Sequence, residues 1–377
     1  MTKNSVMIRK NCVLCNSVLD DLLSFDMPVY MGVHNDEETD SLFEQMLFSY
    51  CSKCGEVQIK TLIDPEILYQ YNHNKGVIGD IWKNHYIEFS ELIKDYVQNK
   101  NVVEIGDPSA KLAKITKGFN KWTIFEPNPE TIQIKNVNFI RGFFKKTLKE
   151  KVDVIIHSHV LEHMYNPIEF ISNCSQSLKD SGEMFFSIPN MEFLIDNNYL
   201  PNNILHFEHT YYIDDDVVDY MIQKNGMQIK AKYKYKNHSI FYHTVKNKNK
   251  NKSIPNIDTT KDLKNRFYNL HKKHMEKIFN IKQTVLNNPK LNWYLFGAHV
   301  SSQYLLTNGF DEDLVKGILD NSEFKHNKKL YGTKLLTFSP KIISNIENVG
   351  IVCSHAGIYY EEISNQLRSI NEEVYIL

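Results

Sequence analysis

From Asn101 onward the chain alternates between short apolar runs and longer amphipathic stretches. NVVEIG (101–106), KWTIFEP (121–127), NFIRGFF (138–144), VDVIIHSHV (152–160) and GEMFFSIP (182–189) read as five strands. PIEFISNCSQSLK (167–179) has helical spacing. A second helix is expected near 214–225, where the acidic residues of YYIDDDVVDY suit the positive end of a helix dipole. Strands alternating with helices at this rhythm predict a parallel α/β sheet with right-handed crossovers. MQIKAKYKY and SIFYHTV then read as an antiparallel pair. KNKNKNKS (246–253) has no apolar residue to pack and reads as a linker or exposed loop. A long helix is expected over roughly 260–287, with Leu263, Phe267, Leu270, Met275 and Ile278 on its inner side. NWYLFGAHVSSQYLL then reads as strand, turn and helix. VKGILDN, ending near Asp320, and VGIVCSHAG add two more strands.

Composition narrows the class without choosing a function. The chain has 377 residues, 42 % of them apolar and 24 % charged, enough for ordinary cores in two or three domains. A net charge of −1 gives no reason to expect nucleic acid or an anionic membrane as partner. No apolar run reaches the length of a membrane span, so a soluble cytosolic protein is expected, its oligomeric state open. Four of the six cysteines form two Cys-x-x-Cys pairs, Cys12 with Cys15 and Cys51 with Cys54. In a reducing compartment two such pairs point to a tetrahedral structural Zn²⁺ site, with free or redox thiols as the alternative. Gly55 eases the second turn, while Cys174 and Cys353 lie in apolar contexts and read as core. The expected organisation is a zinc module (1–66), an α/β core (67–246), a linker (247–258) and a C-terminal Rossmann-like α/β unit (259–377).

The loop after the first core strand, GDPSA, has one glycine, and Pro108 has no N–H. A dinucleotide pyrophosphate needs several backbone N–H groups at a helix start, which this loop does not supply. S-adenosylmethionine (SAM) has no phosphate and needs close backbone approach at one point, which Gly106 allows. Glu126, 20 residues after Gly106, stands where a carboxylate for the ribose hydroxyls belongs. Glu104, within the first strand, resembles the acid expected in a methyltransferase loop of the form E-x-G-x-x-x-G, with Ala110 where the second glycine would be.

A parallel sheet closed by a late antiparallel pair is similar to class I methyltransferases. DVIIHSHVLEHMYNPIEFI resembles the segment after their fourth strand. NILHFEHTYYI resembles the Y-H-E-H-x-x-Y-F stretch of the three-domain, zinc-containing sugar C-methyltransferases, which methylate ketosugars in deoxysugar pathways. The C-terminal FGAHVSSQYLL and DNSEFKHNKKLYGTKLL also resemble that family, so the likeness runs in order over almost the whole chain. It implies a SAM site lined by Gly106, Glu126 and the His157–His159 segment, with Glu104 beside them. It further implies His209 as general base with Glu208 as partner, His163 near the reacting atoms and Tyr71 reaching the active site. The family's tyrosine three before the base is His206 here, its H-G-G-S-L-R is matched only loosely by His238 and Ser239, and a C-terminal lysine is missing.

Histidine suits base chemistry because it titrates near neutrality, and a neighbouring donor can stabilise an enolate oxyanion. The expected activity is methyl transfer from SAM to an activated, nucleotide-linked sugar of a bacterial glycan or natural-product pathway. N- or O-methylation of an amino or amidino sugar is the alternative that the His206 replacement favours. A non-catalytic zinc-containing binding protein on a degenerate methyltransferase fold is the third reading. A metal at HFEH is the further option, but ligands three apart in an extended segment lack a third partner in the sequence.

Overall fold

The computed structural model describes residues 6–34, 42–69, 80–247, 257, 259–353 and 360–377. The N-terminal part is built from β1 (Val6–Ile8), β2 (Asp20–Pro28), β3 (Val33–His34), β4 (Phe43–Tyr50), β5 (Val57–Ile59), β6 (Thr61–Ile63) and the short α1 (Pro65–Leu68). Strands β2, β4 and β5 form an antiparallel sheet and β1 pairs with β6.

The core follows as α2 (Asp80–Ile93), β7 (Asn101–Ile105), α3 (Lys111–Ile115), β8 (Lys121–Glu126), β9 (Val137–Arg141) and β10 (Val152–Ser158). It continues with α4 (Pro167–Ser177), β11 (Leu178–Pro189), α5 (Met191–Asp196), α6 (Pro201–Ile204), α7 (Asp215–Lys224), β12 (Met227–Tyr235) and β13 (Ser239–Lys246). One seven-stranded sheet runs in the order β12-β13-β11-β10-β7-β8-β9. β9, β8, β7, β10 and β11 are parallel, while β13 is antiparallel to both β11 and β12. The order reverses between β7 and β10, and ligands of open α/β sheets bind at the carboxyl ends beside such a switch point. Local chemistry explains the helix starts. Pro167 begins α4 behind Asn166, whose side chain accepts the Glu169 N–H. Asp214 caps α7 by accepting the N–H groups of Asp216 and Val217.

The C-terminal part comprises α8 (Leu263–Asn287), β14 (Asn292–Phe296), α9 (Val300–Thr307), β15 (Ile318–Leu319), β16 (Lys329–Leu330), β17 (Thr337–Phe338), β18 (Val349–Val352), α10 (Tyr360–Ile370) and β19 (Tyr375–Ile376). Its parallel sheet is ordered β17-β15-β14-β18-β19. Along α8 the buried positions are Leu263, Phe267, Leu270, His274, Ile278, Ile281 and Val285. His274, whose Nε2 meets the Asn198 carbonyl at 2.9 Å, replaces Met275 on the inner face, and Met275 is only half-buried. β16 pairs antiparallel with β3, so the first and last parts of the chain share a sheet. Cys174 and Cys353 are fully buried. Most of the Lys-Asn run lies outside the described residues.

Candidate active site

The cofactor side is organised by the turn after β7. Gly106 has φ +81°, and a Cβ there would come within 2.6 Å of Val160, so both backbone sign and space demand glycine. The Asp107 carboxylate accepts the N–H groups of Ser109 (3.0 Å) and Lys111 and thereby caps α3. Ala110, in the place of the second glycine, takes the same left-handed conformation at φ 53°. This strains an alanine by about 1–2 kcal/mol. At the end of β8, Glu126 is buried and one of its oxygens accepts the Asn128 N–H at 2.9 Å. Burial raises its pKa.

Two expected cofactor residues lie elsewhere. Glu104 is buried within β7 and accepts Trp122 Nε1–H at 2.7 Å, so it fastens β7 to β8 inside the core. His157 is wholly buried between Phe186, stacked at 4.8 Å, and Phe170. Neither of its ring nitrogens has a hydrogen-bond partner, and burial alone drives its pKa down to about 3. It packs as a neutral aromatic.

His159 joins a cluster that sequence reasoning missed. His159 Nε2, His238 Nδ1 and His85 Nδ1 converge on the hydroxyl of Ser239 at 2.8, 2.6 and 3.2 Å. His85 Nε2 meets Ser158 Oγ at 3.0 Å, and Trp82 stands edge-on to His159 and His238. A serine hydroxyl donates once and accepts twice, so three ring contacts saturate it. Although these imidazoles have the composition of a metal site, the serine occupies the point on which they converge.

A second cluster lies between the short turn 161–163 and residues 206–209, downstream of α6. Glu162, His163 and His209 present atoms within 4.8 Å of one another; of the HFEH residues only His209 belongs to this set, so the two HFEH histidines do not form a ligand pair within it. His163 and His209 are perpendicular at 4.8 Å between ring centroids, and His209 and His206 lie 4.1 Å apart. Glu208 Oε2 is 3.7 Å from His163 Nδ1, which also takes the Tyr69 hydroxyl at 2.7 Å. Burial raises the Tyr69 pKa well above its usual value, so the phenol stays neutral in this contact. His206 Nδ1 accepts the backbone N–H groups of Glu208 (3.2 Å) and His209 (3.4 Å), which puts the His206 proton on Nε2.

Burial pushes the pKa values of His163, His206 and His209 down and those of Glu162 and Glu208 up to about 7. The imidazoles are therefore uncharged at neutral pH. Both Glu162 oxygens and His209 Nδ1 are buried without a hydrogen-bond partner. His159 Nδ1 approaches Glu162 Oε1 to 3.2 Å outside hydrogen-bond geometry, and burial drives the His159 pKa down to about 3, so the two form no ion pair at neutral pH. His299, at the start of α9, also has a buried Nε2 without a partner, and its nearness to His206 helps depress the His206 pKa. Asn202 Nδ2 donates to the Val300 carbonyl at 3.1 Å and holds that start of α9 against α6. Tyr71 lies outside the described residues. Tyr69, two positions earlier, makes the tyrosine contact seen here; its place in LYQYNH was the available signal.

At the other end of the chain, the four paired cysteines come together. Their sulfurs approach as Cys12–Cys54 at 3.5 Å and Cys15–Cys51 at 3.4 Å, with no disulfide. Thiolates around a tetrahedral Zn²⁺ at ~2.3 Å stand about 3.8 Å apart, so this closed set fits the ion with little adjustment. Gly55, at φ 76°, makes the second turn as expected.

The strand order, the reversal point and the Gly106 turn define a class I, Rossmann-like methyltransferase core with a mostly parallel sheet. Residues 86–231 match the family model described as a methyltransferase domain. On this match and topology the chain is a SAM-dependent methyltransferase. Solved structures with similar folds include the N-methyltransferase NodS from Bradyrhizobium japonicum WM9, at 12 % identity and TM-score 0.37, covering 45 % of this chain and 98 % of that one. A SAM-dependent methyltransferase from Mesorhizobium loti is 7 % identical at TM-score 0.36, covering 41 % and 94 %. The CcbJ methyltransferase from Streptomyces caelestis is 10 % identical at TM-score 0.35, covering 43 % and 89 %. At those scores the likenesses add no weight beyond the family model. No curated protein matches the chain. Among the described residues, no helix is long and apolar enough to cross a membrane.

Proposed function

We propose that the enzyme transfers the SAM methyl group to carbon of an activated, nucleotide-linked ketosugar, with His209 as general base, in bacterial glycan or natural-product synthesis. The observation that carries this reading is the buried cluster of neutral imidazoles in which both Glu162 oxygens and His209 Nδ1 lack partners. A buried group without a partner is destabilising by about 1–3 kcal/mol, and a polar substrate would relieve it.

Gly106 and Glu126 hold SAM in this reading. His209 takes the proton from carbon next to the ketone, leaving its electron pair in the enolate. That carbon displaces S-adenosylhomocysteine from the methyl group, so the sulfonium charge is neutralised as the C–C bond forms. His206 supplies the Nε2–H donor for the enolate oxygen that a tyrosine hydroxyl gives in the similar family, and His163, Glu208 and Tyr69 keep the base in place. This donor tautomer favours carbon over nitrogen or oxygen as acceptor. The cysteine cluster holds one structural Zn²⁺, and the division at 1–66, 67–246 and 259–377 separates zinc module, core and C-terminal unit.

Incubation with methyl-labelled SAM and a panel of nucleotide-linked ketosugars tests the reading. Label in a new C–CH₃ group, located by NMR, is expected. Label on nitrogen or oxygen would replace the C-methyl reading, and SAM binding without transfer to any sugar would sink the substrate class. Metal analysis should find one zinc per chain; zinc-free protein with four titratable thiols would remove that part.

A further inference from the structure

We infer that Arg9 is a positioning residue for methyl transfer, through which the N-terminal module sets the geometry of the two catalytic segments. The inference rests on the proposed roles of His163 and His209. Arg9 is buried, and its guanidinium has donors on both sides of the catalytic cluster. Nη1 donates to the Thr210 carbonyl at 3.0 Å, and Nη2 to Thr210 Oγ1 at 3.2 Å and to the Tyr165 carbonyl at 3.3 Å. Thr210 follows His209 directly, and Tyr165 is two residues after His163. One rigid fork therefore spans the backbones carrying both histidines.

Its own place is fixed by the module. Arg9 N donates to the Lys60 carbonyl at 2.8 Å, and Nη1 also reaches the Ile59 carbonyl at 3.3 Å. Strand β5 continues the same grip. Ile59 N donates to Thr210 O at 2.8 Å, Tyr212 N to Val57 O at 2.9 Å, and Gln58 bridges antiparallel to Tyr211. The Gln58 side chain leads back to the cysteine knuckle, accepting Val13 N–H at 3.0 Å and donating to Cys12 Sγ at 3.4 Å. Thr210 N and Tyr211 OH close the arrangement on the Glu162 and Leu161 carbonyls at 3.3 and 2.6 Å. None of these groups touches the Gly106 turn.

The test pairs kinetics with hydrogen exchange in the full-length, zinc-replete protein. In Arg9→Met, amides of 161–165 and 206–212 should exchange faster while those of 101–106 do not change. With the ketosugar accepted in the labelling assay, kcat should fall roughly 10- to 100-fold, as loss of alignment does, with the SAM Kd within about twofold of wild type. Arg9→Lys, which keeps charge but not the fork, should recover only part of kcat. Should Arg9→Met not fold, Thr210→Val removes a single acceptor and should give the same pattern, smaller. Unchanged exchange in both segments, or a parallel loss of SAM affinity, overturns the inference. Exchange needs no acceptor, so the two ideas fail separately. Full activity in His209→Ala with altered exchange in Arg9→Met defeats only the base assignment. An inactive His209→Ala with unaltered exchange in Arg9→Met defeats only the clamp.

Discussion

The two histidine clusters contain similar residues at similar depth, yet differ in how their polar atoms are occupied. Around Ser239, three imidazoles share one hydroxyl whose donor and acceptor capacity they exhaust. Around His209, the two Glu162 oxygens and His209 Nδ1 are buried without a hydrogen-bond partner. The first is a finished piece of interior; the second leaves bonding capacity that the proposed reaction would use. Residue type does not distinguish them, since HSHVLEH contributes His159 to one, His163 to the other, and His157 to neither.

The comparison breaks most decisively at His209. His209→Ala should lower kcat by about 10²–10⁴, the range for loss of a general base, while calorimetric SAM affinity stays level. A folded variant with full activity would end the assignment. Next in size is Glu126→Ala, which removes a charged hydrogen-bonding partner worth ~1.5–3 kcal/mol. SAM affinity should fall by roughly one to two orders of magnitude, with neither cluster disturbed. An unchanged affinity would place the ribose elsewhere. Ser239→Ala probes the finished cluster. It should destabilise the fold by about 1–3 kcal/mol in denaturant titration and leave kcat within severalfold. A loss of activity as large as that of His209→Ala would erase the distinction between the clusters.

At His157, the HSHVLEH histidine outside both clusters, the expected effect is on stability alone. Its folded pKa, about 3, lies below the ordinary value near 6.5. Between those values the unfolded chain binds the extra proton, so its neutral packing is fully effective above pH 6.5. Stability should fall by up to ~1.4 kcal/mol per pH unit on acidification toward pH 3. His157→Phe should flatten that slope by one histidine's share in melts from pH 7.5 to 5. An identical slope would mean that His157 is solvated.

The repeating strand–helix text made the core sheet legible, including its antiparallel closure, because apolar periodicity is local. β11 begins at Leu178, earlier than the apolar run suggests, and β15 contains only Ile318 and Leu319 of its seven-residue run. The cysteine pairs and HFEH were legible as residue types. What they touch was not. Glu104 looks like a loop acid until Trp122 is found against it, and His85 stands in no motif until β13 brings Ser239 to it. Arg9 has no motif at all; its role comes from contacts with Tyr165 and Thr210, far along the chain. Ala110 shows the reverse case, an alanine in the left-handed conformation that glycine adopts without strain.

The pairing of β3 with β16 also governs when this molecule can be completed on the ribosome. Val33 finds its partner in Leu330, roughly 300 positions later. At ~5–20 residues per second, translation needs about 15–60 s to supply that partner. For that interval the β3 edge emerges without its eventual neighbour, ahead of the core and most of the C-terminal sheet. Slow codons or chaperone binding late in the message would therefore affect the first-made part of the protein as much as the last.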